Sequence, residues 1–134
     1  MMNSYNVLLI DDDSTTNLLN EIHIKKAGIA KSITIADSAL QALDIIFVEK
    51  KIPDLIFLDL NMPVMNGWQF LDEYCQRCTD TTKPIIIVLT ASINPADKEM
   101  ADNNSCVLDF VNKPLNKDKV KGIINKLENN IITN

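Results

Sequence analysis

Positive charge and long apolar runs are both scarce in this chain of 134 residues. The net charge is −5 and Arg77 is the only arginine, which argues against a nucleic-acid-binding surface because such a surface needs a basic stripe. The longest clear apolar run, residues 85–89, is far too short to span a membrane. The polar start lacks the basic and apolar segments of a signal peptide. We therefore expect a soluble, cytoplasmic protein that binds neither nucleic acid nor membrane.

Cysteine is scarce too, with only Cys75, Cys78 and Cys106. An odd number of cysteines without a secretory signal predicts reduced thiols. Cys75 and Cys78 form a C-x-x-C pair, but they recur at helical spacing with Phe70 and Tyr74 and would close a helix rather than open one. This position favours packing in or near the core over a redox or zinc site.

Glycine occurs only three times, which leaves no glycine-rich loop of the kind that cradles nucleotide phosphates. Neither G-x-G-x-x-G nor G-x-x-x-x-G-K-[ST] is present. Hydrophobic residues, in contrast, make up 46% of the chain, enough for one core in a domain of this length. We expect a single domain over residues 1–134.

Short apolar runs alternate with amphipathic segments along the chain. Several runs are rich in isoleucine, valine and leucine without polar alternation, which is typical of strands buried on both faces of a parallel sheet. The predicted strands are residues 6–10, 32–35, 55–58, 85–89 and 109–111. A helix follows each strand, so the predicted fold is a doubly wound α/β sandwich of the flavodoxin-like (βα)5 type with a five-stranded parallel sheet.

The first predicted helix has a clear start, stripe and end. Ser14 can cap its amino terminus. An apolar stripe, which we expect to face the core, is formed by Leu18, Leu19, Ile22 and Lys26 or Ala27. Gly28 stands where a left-handed carboxyl cap is expected.

The remaining helices carry comparable start signals. Asp37 or Ser38 can cap the second helix, and the third is predicted from about residue 66 to residue 78. Asn94, followed by proline, opens the fourth helix, and Asn116 opens the fifth.

Polar side chains of three kinds follow the predicted strands at their carboxyl ends. Doubly wound sheets place their ligand sites at that edge, so residues distant in sequence converge there. The set comprises the carboxylates of Asp11, Asp12, Asp13 and Asp59, the hydroxyl of Thr90 and the ammonium of Lys113. Clustered carboxylates repel one another, but they provide the oxygen ligands that Mg²⁺ prefers.

Asp59 can also act as a nucleophile. A carboxylate that attacks a phosphoryl group forms an aspartyl phosphate. The phosphoryl oxygens then need neutralisation by a metal, a lysine and a hydroxyl, and all three kinds of group are predicted near Asp59. These residues indicate Mg²⁺-dependent phosphoryl chemistry.

Four short motifs, in this order and at these spacings, resemble the response regulator receiver domain, the phospho-acceptor module of two-component signalling. They are the acidic pair after the first strand, LDLNMPVMNG, LTA and KP. The resemblance covers residues 6–127, roughly, which leaves no residues for an output domain and implies a stand-alone receiver similar to chemotaxis regulators. It implies a signalling domain that catalyses only its own phosphorylation and dephosphorylation, not a turnover enzyme.

The resemblance assigns metal and phosphate roles to residues that match the motifs. Asp59 matches the phosphorylated aspartate and, with Asp12, a direct ligand of the Mg²⁺ cofactor. Asp11 matches the acid that reaches the metal mainly through water, and Asn61 matches the residue that gives its backbone carbonyl. Asp13 lies outside the matched pair and is expected to be a solvent-facing charge near a helix amino terminus.

Further roles follow from the later motifs. Thr90 matches the hydroxyl that moves to bond the phosphoryl group, and Lys113 matches the lysine that pairs with it. The Lys113–Pro114 bond matches the family's cis peptide. Phe110 matches the aromatic switch position, so Thr90 and Phe110 are the implied switch residues.

The implied partners are proteins. The phosphoryl donor would be a sensor histidine kinase or a histidine phosphotransfer protein, and a downstream partner would bind a surface on helix 4, strand 5 and helix 5. The only histidine, His23, is expected on the surface of the first helix, and Trp68 is expected to be a packing residue.

Two other functions use similar residues. A haloacid-dehalogenase-like phosphatase also combines an aspartate nucleophile with Mg²⁺, threonine and lysine, but residues 59–61 lack the second acid of its D-x-D motif. Its acidic pair also comes last in the chain, whereas here the acids come first. A phosphate-independent pseudo-receiver would only bind partners. The intact acids Asp12 and Asp59 argue against it, as do Thr90 and Lys113.

Overall fold

A computed structural model of the chain describes residues 5–77 and 84–133. The strands are β1 Tyr5–Ile10, β2 Ala30–Ala36, β3 Leu55–Leu58, β4 Ile85–Thr90 and β5 Val107–Asn112. They form one parallel sheet in the order β2-β1-β3-β4-β5. The predicted doubly wound, five-stranded parallel sheet is therefore confirmed.

Helices connect the strands and cover both faces of the sheet. They are α1 Ser14–Ala27, α2 Ala39–Leu43, α3 Gly67–Arg77, α4 Pro95–Asp102 and α5 Lys117–Thr133. α2 continues into a π-helical segment, Asp44–Val48. In the described part of the chain, every helix is too short or too polar to cross a membrane. The predicted end of the third helix at Cys78 lies outside the described residues.

The sheet separates two hydrophobic cores, because successive side chains of a strand point to opposite faces. On one face, Leu8 and Ile56 pack with the buried residues of α2 and α3. On the other, Val7 and Phe57 pack with those of α1 and α5. The three central strands β1, β3 and β4 are almost wholly buried, so the residues that follow them lie on a rigid support.

Asp13 caps the amino terminus of α1, and the prediction that Ser14 does so is wrong. Asp13 has an extended backbone, with φ −96° and ψ 110°, and its Oδ1 accepts hydrogen bonds from the N–H groups of Thr15 and Thr16 at 3.0 and 3.3 Å. Ser14 is already the first helical residue. At the other end Gly28 adopts a φ of 73° and closes the helix, as predicted.

Three other predicted caps are confirmed. Ser38, Asn94 and Asn116 each accept a hydrogen bond from a backbone N–H two or three residues later, at 2.8–3.0 Å. Of the two residues predicted as possible caps of α2, Asp37 and Ser38, it is Ser38 that caps the helix. These side chains satisfy N–H groups that the first turn of a helix leaves without partners.

Most of the apolar stripe of α1 faces outward, so the prediction that it faces the core is wrong for its leucines and isoleucine, whereas Ala27 packs against the core. Leu18, Leu19 and Ile22 are 56%, 51% and 40% exposed. The buried residues of α1 are Asn17, Asn20 and Ile24. The Nδ2 group of Asn17 donates a hydrogen bond to the backbone carbonyl of Asp11 at 2.8 Å. This bond ties the asparagine face of the helix to the end of β1 and turns the leucines towards solvent.

Candidate functional site

Three carboxylates meet at the carboxyl edge of the sheet. Asp11, Asp12 and Asp59 each offer an oxygen atom, and these oxygens all lie within 4.8 Å of one another. The neighbouring strands β1 and β3 bring them together, since the N–H of Asp59 donates to the carbonyl of Ile10 at 3.0 Å. Asp11 and Asp59 are buried and Asp12 is exposed. The cluster therefore has one acid on its solvent side.

Lys113 lies between the two buried carboxylates. Its Nζ is 2.6 Å from Asp11 Oδ2 and 3.4 Å from Asp59 Oδ1. The N–H of Lys113 donates a hydrogen bond to the carbonyl of Thr90 at 2.9 Å. This bond holds the backbone of Lys113 beside the end of β4. The peptide bond between Lys113 and Pro114 is cis. One ammonium group thus contacts two of the three carboxylates of the cluster.

The pKa values at this site reflect burial and the uneven charge balance. Burial raises the pKa of the Asp59 carboxyl and repulsion from Asp11 adds to the rise, although the charge of Lys113 and the N–H of Asn61 oppose it. Burial alone would lower the pKa of Lys113, but its hydrogen bond to Asp11 and the charge of Asp59 outweigh burial and raise it. Lys113 is therefore a stable cation at neutral pH.

The chemistry of the cluster fits a divalent metal ion. Asp11, Asp12 and Asp59 supply closely spaced carboxylate oxygens whose charge exceeds that of one lysine, and Mg²⁺ prefers such ligands. Asn61 is exposed beside the cluster and directs its N–H at the Asp59 carboxylate. Its role as a carbonyl ligand stays a prediction. Asp13 is exposed and caps α1, as expected for a solvent-facing charge.

Thr90 and Phe110 lie on β4 and β5 beside the cluster. Thr90 is fully buried, and its Oγ1 accepts a hydrogen bond from the N–H of Ser92 at 3.2 Å. Phe110 is half-buried and lines a cavity of about 410 Å³ with Ile93 and Lys113. The threonine hydroxyl is thus already engaged with the loop that leads into α4. The switching roles of Thr90 and Phe110 stay predictions.

A hydrogen-bonded connection links this loop to α3, and the sequence did not predict it. Ser92 Oγ donates to Asp97 Oδ2 at 2.5 Å, and Trp68 Nε1 donates to Asp97 Oδ1 at 3.1 Å. Trp68 also packs against the core, as predicted. Trp68 and Asp97 lie 29 positions apart, so no local sequence pattern indicates that they meet.

Gly67 allows α3 to begin against the backbone of Asp59. A Cβ atom at Gly67 would lie 2.6 Å from the carbonyl oxygen of Asp59 and 2.8 Å from the Cα of Leu60. The N–H of Gly67 also donates to the carbonyl of Leu60 at 2.9 Å. Any larger residue would have to displace the backbone that positions Asp59, which explains the glycine at this place.

The fold and the carboxylate cluster define a class of protein, the response regulator receivers. The profile of the response regulator receiver domain matches residues 7–125, and the chain belongs to this family. A two-component response regulator from Cytophaga hutchinsonii has a similar crystal structure, with 31% identity, a TM-score of 0.81 and coverage of 92% of this chain and 96% of that chain. One from Legionella pneumophila is 30% identical, with a TM-score of 0.77 and coverage of 92% and 98%.

Most of the curated relatives are longer, and the chain spans about half of their length or less. The chain is 29% identical over 122 residues to the sensor histidine kinase CheAY of Helicobacter pylori, covering 91% of this chain and 15% of that protein. It is 34% identical over 119 residues to a protein-glutamate methylesterase/protein-glutamine glutaminase of Treponema pallidum, covering 87% and 28%. The kinase and esterase activities in these names belong to those proteins.

Proposed function

We propose that the chain accepts a phosphoryl group on the Asp59 carboxylate and in response switches a protein-interaction surface. The observation that carries this proposal is the position of Lys113, with its Nζ 2.6 and 3.4 Å from two buried carboxylates. A single ion pair would serve stability better than this excess of acids, because the like charges of Asp11 and Asp59 repel each other. A site that binds an anionic phosphoryl group with the help of a metal ion and a lysine, in contrast, needs both the clustered carboxylates and Lys113.

In the proposed reaction, an oxygen of Asp59 attacks the phosphorus of a phosphohistidine. The new P–O bond forms as the P–N bond breaks, and the electron pair of the broken bond leaves with the imidazole. Lys113 Nζ, already beside Asp59, holds one phosphoryl oxygen. The Thr90 hydroxyl leaves the N–H of Ser92 and donates to another.

The proposed cofactor is Mg²⁺, which Asp11, Asp12 and Asp59 would hold, together with the Asn61 carbonyl that the family pattern adds. When bound, the cation supplies positive charge that offsets the charge of the phosphoryl oxygens. Asp11 is already bonded to Lys113 at 2.6 Å, which supports a contact of Asp11 with the metal through water. Asp12 is exposed and has no such bond among the described residues, which supports a direct contact.

The outward face of α1 supports docking of a phosphoryl donor next to the acids. Leu18, Leu19 and Ile22 are exposed on the helix that begins directly after the acidic run. Apolar side chains grouped on a surface are typical of protein interaction sites. We propose that a sensor histidine kinase or a histidine phosphotransfer protein covers this face while its phosphohistidine reaches Asp59.

We propose that the output surface lies on α4, β5 and α5. Ile93, 95% exposed, precedes α4, and Met100 is exposed on it, so both could contact a downstream protein. Within the proposal the chain is a stand-alone, cytoplasmic receiver that turns over no separate substrate. The similarity in fold to two response regulator structures, at TM-scores of 0.81 and 0.77, supports the receiver role within this proposal.

Trp68 offers a readout of this switch. Movement of the Thr90 hydroxyl breaks its bond with Ser92, whose own hydroxyl is bonded to Asp97, the partner of Trp68. Beryllofluoride with Mg²⁺ should therefore change Trp68 fluorescence, and Asp97→Ala should reduce the change. Asp102→Ala on the same helix is the matched control and should preserve it. Fluorescence that does not respond in the wild type would contradict switching through this loop.

Intact mass measurement after incubation with acetyl phosphate and Mg²⁺ tests the main proposal. The wild type should gain one phosphoryl group, and EDTA should abolish the gain. Asp59→Asn should gain none, whereas Asp72→Asn, which removes an exposed acid of α3, should behave as the wild type does. No gain in the wild type would favour the pseudo-receiver, and steady hydrolysis of phosphomonoesters would favour the haloacid-dehalogenase-like phosphatase.

A further inference from the structure

We propose that Cys75 and Cys106 form a reversible redox site, whose two thiols a low-molecular-weight disulfide such as glutathione disulfide oxidises to an intramolecular disulfide. Their Sγ atoms lie 2.7 Å apart, although the two residues are 31 positions apart in the chain. The sulfur atoms are thus already in contact, and a bond between them requires only a small further approach. This site does not depend on phosphorylation of Asp59.

The two cysteines belong to different elements at the edge of the sheet opposite the acids. Cys75 lies in α3, and Cys106 directly precedes β5. Both are half-buried, so neither is sealed inside a core. Cys106 also lines a cavity of about 220 Å³ together with Tyr74, Pro84 and Ser105. A small disulfide can therefore reach Cys106 from this cavity, which Cys75 does not line.

The accessibility of Cys106 sets the order of the two exchange steps. The Cys106 thiol loses its proton to solvent, and the thiolate attacks one sulfur of glutathione disulfide, which releases the first glutathione thiolate. The Cys75 thiol likewise loses its proton, and its thiolate attacks the Cys106 sulfur of the mixed disulfide. The second glutathione thiolate then leaves. Two electrons pass from the protein to glutathione disulfide, and each released thiolate takes up a proton to become glutathione.

The disulfide would fasten α3 to the start of β5. The covalent loop from Cys75 to Cys106 would contain all of β4 and α4. A crosslink between distant positions restricts the unfolded chain more than the folded one. Oxidation should therefore stabilise the fold.

The decisive experiment maps the bonds formed in native protein. The protein is treated with glutathione disulfide, quenched with N-ethylmaleimide, digested without reduction and analysed by mass spectrometry. We expect a peptide pair joined through Cys75 and Cys106, with Cys78 carrying N-ethylmaleimide. A Cys75–Cys78 bond would overturn the proposal. So would three alkylated thiols in native protein while urea-unfolded protein oxidises under the same treatment.

Two variants separate the proposed order of steps from general thiol reactivity. Cys78→Ser should form the same bond as the wild type, because it leaves both members of the pair in place. Cys75→Ser should stop at the mixed disulfide and keep one glutathione on Cys106. A Cys75→Ser protein that gains no glutathione on Cys106 would contradict the entry of the oxidant through the cavity.

A thermal melt supplies a second readout that does not rely on peptide mapping. Oxidised wild type should melt about 5–10 °C higher than reduced wild type. Cys106→Ser, treated in the same way, should show no such difference. A lower melting temperature after oxidation would show that the disulfide strains the native fold. That result would overturn the proposed redox site.

Discussion

At the scale of single residues, burial and the nearby charge of Asp11 disfavour the ionised form of Asp59. Its raised pKa means that the folded protein binds the proton more tightly than the unfolded chain does. The stabilising effect of that proton is present below the ordinary aspartate pKa and is lost as the pH rises through the folded-state value. Asp59→Asn should therefore stabilise the Mg²⁺-free protein at pH 7 by on the order of 1 kcal/mol. The gain should shrink as the pH falls to about 4 and below.

Urea unfolding at pH 7 and pH 4 measures this difference. Asp72→Asn removes an exposed acid with the same change of side chain, and it should alter stability little at either pH. Lys113 keeps its bond to Asp11 in the Asp59 variant, so no cation is left unpaired. A variant less stable than the wild type at pH 7 would show that the Lys113 contact outweighs burial at Asp59.

Val64, in the loop after Asp59, has a backbone conformation that β-branched residues disfavour. Its φ is 68° and its side chain is 91% exposed, so it bears the strain of the left-handed region with little packing in return. Val64→Gly should raise the free energy of unfolding by about 0.5–1 kcal/mol, as measured by urea unfolding. Val48→Gly is the matched control, because Val48 is also exposed but lies in the π-helical segment, and it should lower stability. Similar losses at both positions would refute the interpretation.

At the scale of elements, the strands could be predicted because their signal is local. An unbroken apolar run such as that of β3 indicates a doubly covered strand wherever it occurs. The convergence of Asp11, Asp59 and Lys113 followed from strand order and the carboxyl-edge rule. Neither rule could predict the contact between Trp68 and Asp97, or that between Cys75 and Cys106, since each depends on how two distant elements pack.

The orientation of α1 could not be predicted from apolar spacing. Leucine and isoleucine at helical intervals normally mark a buried face, but here Leu18, Leu19 and Ile22 face solvent. The hydrogen bond from Asn17 to the Asp11 carbonyl decides the rotation instead. A polar contact at the site thus overrides the apolar pattern of the helix and leaves these side chains on the surface, where the proposed phosphoryl donor would dock.

Two substitutions on α1 test this orientation directly. Leu19→Ser should change the free energy of unfolding by less than about 0.5 kcal/mol, because Leu19 is half exposed. Ile24→Ser, at a fully buried position, should cost about 2–5 kcal/mol. Chemical denaturation of both variants measures the contrast. Equal losses would mean that the leucine face is buried after all.

At the scale of the whole molecule, an acidic chain of net charge −5 concentrates three carboxylates at one point. A cation that binds only the folded state shifts the folding equilibrium by mass action. Mg²⁺ at 100 times its dissociation constant should therefore stabilise the protein by about 2.7 kcal/mol. Thermal melts with Mg²⁺, with EDTA and with NaCl of equal ionic strength measure this effect. Stabilisation by NaCl alone would indicate general screening instead of a site.

Two neighbouring acids provide the matched controls for that measurement. Asp12→Asn should remove most of the stabilisation by Mg²⁺, because Asp12 belongs to the carboxylate cluster. Asp13→Asn should leave it largely intact, since Asp13 faces solvent and asparagine also caps helices well. Equal losses from the two changes would contradict the separate roles given to these acids.

The bond between Lys113 and Asp11 joins residues 102 positions apart, and this separation has a consequence for synthesis on the ribosome. The acids of β1 and β3 emerge long before the lysine that balances them. Until β5 docks, a partly folded chain holds the repelling acids without their cation, which disfavours a compact state that buries them. If Asp59 accepts a phosphoryl group as proposed, an incomplete nascent chain should not compete for the donor, because the site is complete only once Lys113 is in place.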